Sequence, residues 1–147
     1  DPTRKLSSEI ASEEELKDIT RSERGFMVLV RNGVFQMVRA LSRGRFSDFM
    51  ECIDPAKIDG GSWGERDVQN TFDRFFTEHE FLITDKASRS SDLLRISKFP
   101  THWDIEQVLT DPEAKNDWAL KLRVDIEKSR DLQEVSFNLL SIGEIGS

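Results

Sequence analysis

Residues 103–142 read WDIEQVLTDPEAKNDWALKLRVDIEKSRDLQEVSFNLLSI, and the middle of this stretch decides the fold. Trp118, Leu120, Leu122, Val124 and Ile126 fall on one side of an extended chain. Asp117, Ala119, Lys121, Arg123, Asp125 and Glu127 fall on the other. Successive side chains of a strand point to opposite faces, so this alternation predicts a sheet with one buried and one wet face. Strands are expected over residues 93–97, 103–109, 118–126 and 135–142. Residues 111–116 form a hairpin loop in which Pro112 cannot continue a ladder, and residues 128–133 form a second turn.

The apolar face needs cover, and the first half of the chain supplies helices. Ser12 and Glu15 make an S-x-x-E capping box, with Gly25 as an interruption of the helix it starts. A stronger helix follows through Leu41, carrying Met27, Val30, Val34, Met37, Val38 and Leu41 at spacings of three and four. Gly44 stops it. Phe46, Phe49, Met50 and Ile53 mark a second, short helix. A third is expected over residues 65–79, with Val68, Phe72, Phe75 and Phe76 on one face. Residues 81–84 read as a short strand and residues 85–91 as a polar loop. Residues 1–11 read as a linker, and residues 12–147 as a single domain.

The 147 residues suffice for one core, and the net charge of −7 argues against a wholly basic nucleic-acid-binding module. A lone cysteine, Cys52, permits no internal disulfide and points to a reducing, cytoplasmic setting. No apolar run approaches the ~20 residues of a membrane span, and no signal peptide is visible. The chain begins at Asp1, not Met, which suggests a piece excised from a larger protein.

Catalytic chemistry is not evident. Gly60, Gly61 and Gly64 lack the spacing and the Lys-Ser/Thr of a phosphate-binding loop, so no ATPase activity is expected here. His79 and His102 are the only histidines; Glu78, His79 and Glu80 could bind a cation, but a histidine there more simply meets the helix C-terminus. No metal site is expected. Asp104, Glu106, Asp117 and Asp125 read as a solvated face. Cys52 reads as a small buried residue, and Trp63, Trp103 and Trp118 as core or rim.

One feature stands apart. Residues 21–50 hold six basic residues against two acidic ones. At ~100° per residue, Arg24, Arg31, Arg39 and Arg43 share a helical sector with Asn32 and Phe35, opposite the apolar stripe. Basic residues interleaved with an aromatic suit nucleic acid or an acidic protein face, against the simpler reading of a solvated helix.

Helices first and a meander last give an α+β domain, with helices on one face of a curved antiparallel sheet. That order resembles the cone-shaped fold of nuclear transport factor 2 and the wider cystatin-like group. Three stretches carry a closer resemblance: FMVLVRNGVFQMVR (residues 26–39), FFTEHEFLIT (75–84) and WDIEQVLTDPEAKNDWALKLRVDI (103–126). They resemble the uncharacterised C-terminal domain of bacterial Ski2-like superfamily 2 DEAD/DEAH-box helicases. That domain carries a V-R-N-x-x-F helix, an E-H segment and a W-x-[VI]-x-Q-x-[LF]-x-D-P…D-W strand pair. Arg31, Asn32 and Phe35 match the first, Glu78 and His79 the second, and Gln107, Asp111, Pro112, Asp117 and Trp118 the third. The chain departs from the pattern at residues 60–63 and in the loop after Thr84, SRSS here (residues 88–91) and glycine-rich in many relatives.

The resemblance implies a non-catalytic accessory module of a helicase whose ATP and magnesium bind elsewhere in the polypeptide. Its expected partners are the helicase core and, through it, RNA or DNA; no catalytic residue is carried over. Two other readings stay open. A cone-fold enzyme or small-molecule-binding domain would need a pocket with an acid–base pair, and a homodimer would use an apolar patch on the outer face of the sheet.

Overall fold

The structure is a computed structural model and describes residues 18–146. The expected linker and the capping box of Ser12 and Glu15 lie outside these residues. The domain is α+β, and four strands form one antiparallel sheet in sequence order: β1 (Leu94–Lys98), β2 (His102–Leu109), β3 (Trp118–Asp125) and β4 (Ser136–Glu144). The alternation works as expected except at Ala119, placed on the wet side of β3 but only 1% exposed. Trp103, Ile105, Leu109, Trp118, Leu120, Leu122, Val124, Phe137, Leu139 and Ile142 are all buried. Opposite β3, the register jumps so that Leu122 faces Leu139 while Lys121 faces Ser141. The extra residue, Leu140, makes a bulge that bends the curved sheet and keeps Ile142 inward.

Helix α1 (Glu23–Ser42) lies over the buried face of the sheet. Its N-cap is Ser22, whose Oγ accepts from the Gly25 backbone N–H at 3.1 Å. Gly25 therefore sits in the first turn and does not interrupt the helix. Phe26, and not Met27, takes the first core position; Met27 is half-buried beside it. The Phe26 ring meets Trp103 edge-on at 5.1 Å. Further along, Gly33 faces Phe137 of β4. A Cβ at Gly33 would stand 2.6 Å from the Phe137 ring, so the close approach of helix to sheet requires glycine there. Gly44 follows the helix with φ +66°, the left-handed conformation that ends it.

Helix α2 (Phe46–Glu51) buries Phe46 and Phe49. The expected third helix breaks at Arg74 into α3 (Glu65–Asp73) and α4 (Phe75–Glu78). Phe72 and Phe75 stack in the core at 5.3 Å, and Phe75 meets Trp118 edge-on at 5.6 Å. The break turns Phe76 outward to 42% exposure, so two rings of this segment are buried and not three. Residues 81–84 contribute a single bridge, Ile83 to Thr110, in place of a strand. Within and just after the expected polar loop, residues 87–89 and 91–93 coil into two 3-10 turns.

The second expected turn is a helix, α5 (Ile126–Leu132). Asp125 ends β3 and caps this helix, accepting from Lys128 N–H at 3.0 Å. Ser129, buried, donates to the Asp125 carbonyl at 2.6 Å and accepts from Ser136 N–H at 2.9 Å, tying α5 to β4. The outer edge of β4 is covered by residues 54–63. Asp54 N–H donates to Phe137 O, Asn138 Nδ2 to Ala56 O and Trp63 Nε1 to Leu139 O, at 2.8, 3.0 and 3.0 Å. Cys52 is half-buried, not enclosed, its Sγ 3.4 Å from the Asp48 carbonyl.

The far face of the sheet is charged and ordered into cross-strand rows. Arg95, Glu106 and Lys121 oppose one another in register, and Arg123 forks onto Asp104 with bonds of 2.7 and 3.1 Å. Asp104 is thereby held below the usual carboxylate range by its hydrogen bond to Arg123.

Candidate functional site

The helical spacing places Arg24, Arg31, Asn32, Arg39 and Arg43 on the exposed side of α1, away from its core stripe. Among the described residues none of the four arginines forms an ion pair. Phe35, expected on the same face, is half-buried: the helix rolls it toward the sheet, and the Arg89 guanidinium covers its ring at 4.5 Å.

The face is divided between two concavities. Arg31, Asn32 and Phe35 border a cavity of about 130 Å³ between α1 and β2, closed on the far side by Ile83, Arg89, Gln107 and Thr110. Arg39 and Arg43 instead border a wider groove of about 1050 Å³ between α1, α2 and α5. That groove mixes Arg45 with Asp48, Glu51 and Glu134 over an apolar floor, and Asp54 within it is engaged by Lys128. Arg24 borders neither.

A third constellation joins segments far apart in sequence. His79, at the end of α4, is 3% exposed. Its Nε2 meets Asp117 Oδ1 at 2.8 Å, and its Nδ1 lies 3.4 Å from Glu113 and 3.6 Å from Asp111. Asp111, itself buried, accepts backbone N–H bonds from Glu113, Lys115 and Asn116 at 3.1, 3.1 and 2.8 Å, which shapes the β2–β3 loop. Next to it, Trp118 Nε1 donates to Glu78 at 2.9 Å. The expectation that His79 meets the helix C-terminus fails for its ring, which turns instead to the loop carboxylates.

With a carboxylate at each ring nitrogen, His79 is satisfied as an imidazolium. Burial works against the charged ring, but the hydrogen bonds with Asp117 and Glu113 and the charges of Asp111 and Asp117 outweigh it. His79 is therefore held above the ordinary histidine value. Glu78 and Glu144 share a hydrogen bond that pulls Glu78 down and pushes Glu144 up. Ligand atoms of Glu78, His79 and Asp117, and of His79, Asp111 and Glu113, lie within 4.8 Å of one another. A cation there would have to displace a ring proton that already has its acceptor, so the cluster reads as an ion network that locks the loop.

A family model described as Domain of unknown function (DUF3516) matches residues 1–142. The chain belongs to that family. Comparison with curated proteins and with solved structures yields no match. In this DUF3516 domain the quoted sequence stretches are not independent: E-H packs on D-P…D-W through His79 and Asp117, and V-R-N-x-x-F shares a cavity with Gln107. Sequence reading missed Arg89 and Thr110 as neighbours of Phe35. The basic residue inside the SRSS departure was the available signal for the first.

Proposed function

We propose that this DUF3516 domain is a non-catalytic accessory module of a cytoplasmic Ski2-like helicase, docked on the helicase core of the same polypeptide and guiding RNA or DNA along α1. The observation that carries the reading is the set of four exposed arginines on one helix face with no acidic partner among the described residues. In a chain of net charge −7, such a face is the place where a polyanion is attracted, while the remaining surface repels it. No helix among the described residues is long and apolar enough to cross a membrane, which is compatible with this setting.

The alternatives are less well supported. An enzyme of this shape needs an acid or base in its pocket; the residues lining the cavity beside β2 include no Asp, Glu or His, and in the wider groove Asp48, Glu51 and Glu134 are exposed while Asp54 pairs with Lys128. The far face of the sheet, which a dimer would use, carries charged rows in place of an apolar patch. The test is nucleic-acid-stimulated ATP hydrolysis by the full polypeptide with Arg31, Arg39 and Arg43 changed to Gln. The proposal expects reduced stimulation with unchanged basal turnover; equal stimulation at low and moderate salt counts against it.

A further inference from the structure

The cavity between α1 and β2 has an apolar floor and a cationic mouth. Val38 and Leu109 are buried at its base, and Arg31 and Arg89 are exposed at its rim. Phe35 supplies one wall. Gln107 is 8% exposed, and its Nε2 already donates to Leu93 O at 3.2 Å and Val108 O at 2.9 Å, so toward a ligand its amide offers only an acceptor. Thr110 lines the cavity, and its Oγ1 is buried with no hydrogen-bond partner among the described residues. A buried hydroxyl left unsatisfied is unfavourable, so a polar ligand atom within its reach would be favoured. The volume, about 130 Å³, is close to the ~150 Å³ of an apolar cavity that admits one benzene ring.

These features specify a ligand: one planar ring, an edge with a donor next to an acceptor, and an attached anion. We propose that the cavity takes the base of a pyrimidine nucleotide of the uracil or thymine type, with Arg31 and Arg89 at the mouth holding its phosphate. The ring N–H donates to Gln107, the neighbouring ring carbonyl accepts from Thr110, and Phe35 packs against the ring. The volume comparison favours a single ring over the two fused rings of a purine. The inference rests on the nucleic-acid reading of α1 and adds a base preference to it; the nucleotide is either free or one unstacked member of a single strand.

The experiment compares binding of this chain to labelled oligo(U), to an abasic strand of equal length and charge, and to oligo(A), by fluorescence anisotropy. In parallel, UMP, GMP and inorganic phosphate are titrated while the Gln107 side-chain amide is followed by NMR. Thr110→Val keeps the side-chain shape without the hydroxyl, and Arg89→Gln alters an exposed residue, so neither should disturb folding, which a thermal melt checks. The proposal expects oligo(U) to bind about tenfold tighter than the abasic strand and tighter than oligo(A), with both variants removing most of that advantage. UMP should shift the Gln107 amide, and phosphate and GMP should not.

Equal binding of oligo(U) and the abasic strand, with no shift from UMP, overturns the cavity proposal and leaves phosphate contact by α1 intact. A uracil preference untouched by both variants overturns the location, and a GMP shift equal to that of UMP overturns the choice of ring. If no strand binds even at low salt, the nucleic-acid reading of α1 fails. The cavity then stands as a free-nucleotide site if UMP still shifts Gln107, and is overturned if it does not.

Discussion

His79 and Asp117, 38 residues apart in sequence, meet at 2.8 Å and tie the end of α4 to the start of β3. The opposite ring nitrogen faces Asp111 and Glu113, so the contact is worth most when the ring carries both protons.

The pH dependence follows from that. His79 is held above the ordinary value of 6.5, so its contribution to stability is fully present below 6.5 and is lost as pH rises through its raised folded value. Denaturant melts from pH 6 upward should show the wild type losing stability through the neutral to mildly alkaline range. His79→Gln should be less stable at pH 6 and nearly flat across that range. Parallel curves for the two proteins would mean that the ring is neutral in the folded state.

Gly33→Ala places a methyl group where the Phe137 ring stands, at 2.6 and 2.8 Å from two of its atoms. Overpacking of this kind costs ~1–3 kcal/mol, more than the helix propensity gained from alanine. A stability equal to or above wild type by chemical denaturation would show that α1 has room to move off the sheet.

Leu122 is fully buried opposite Leu139, whereas Lys121, one residue earlier, points to the charged face. Leu122→Ala should cost ~2–5 kcal/mol through cavity formation. Lys121→Ala should fall within about ±0.5 kcal/mol, as for an ordinary surface change. Similar losses from both would contradict the assigned facing of β3.

The sheet was legible because period-2 alternation in residues 118–124 reports facing directly, and the neighbouring strands repeat it. The same rule overran at Ile126, an apolar residue in the right phase that begins α5; the cue was Asp125, a helix cap placed just before it. The break at Arg74 left no local mark in the sequence; just after it, Phe75 packs edge-on against Trp118, a contact that helical spacing does not report. The arginine face was readable from helical spacing alone. The division of that face by a cavity and a groove was not, because both depend on loops whose conformation long-range contacts set, such as Arg89 over Phe35.

The central claim is that α1 meets nucleic acid through its arginines, and the salt dependence of binding tests it most directly. The measurement is the affinity of this chain for a single-stranded oligonucleotide at several salt concentrations, wild type against the variant with Arg31, Arg39 and Arg43 all changed to Gln. Each phosphate contact contributes about −0.7 to the slope of log K against log salt for single strands, so losing three should make the slope shallower by about 2 and weaken binding at low salt. Superimposable plots for the two proteins would contradict the account and leave α1 a solvated helix face.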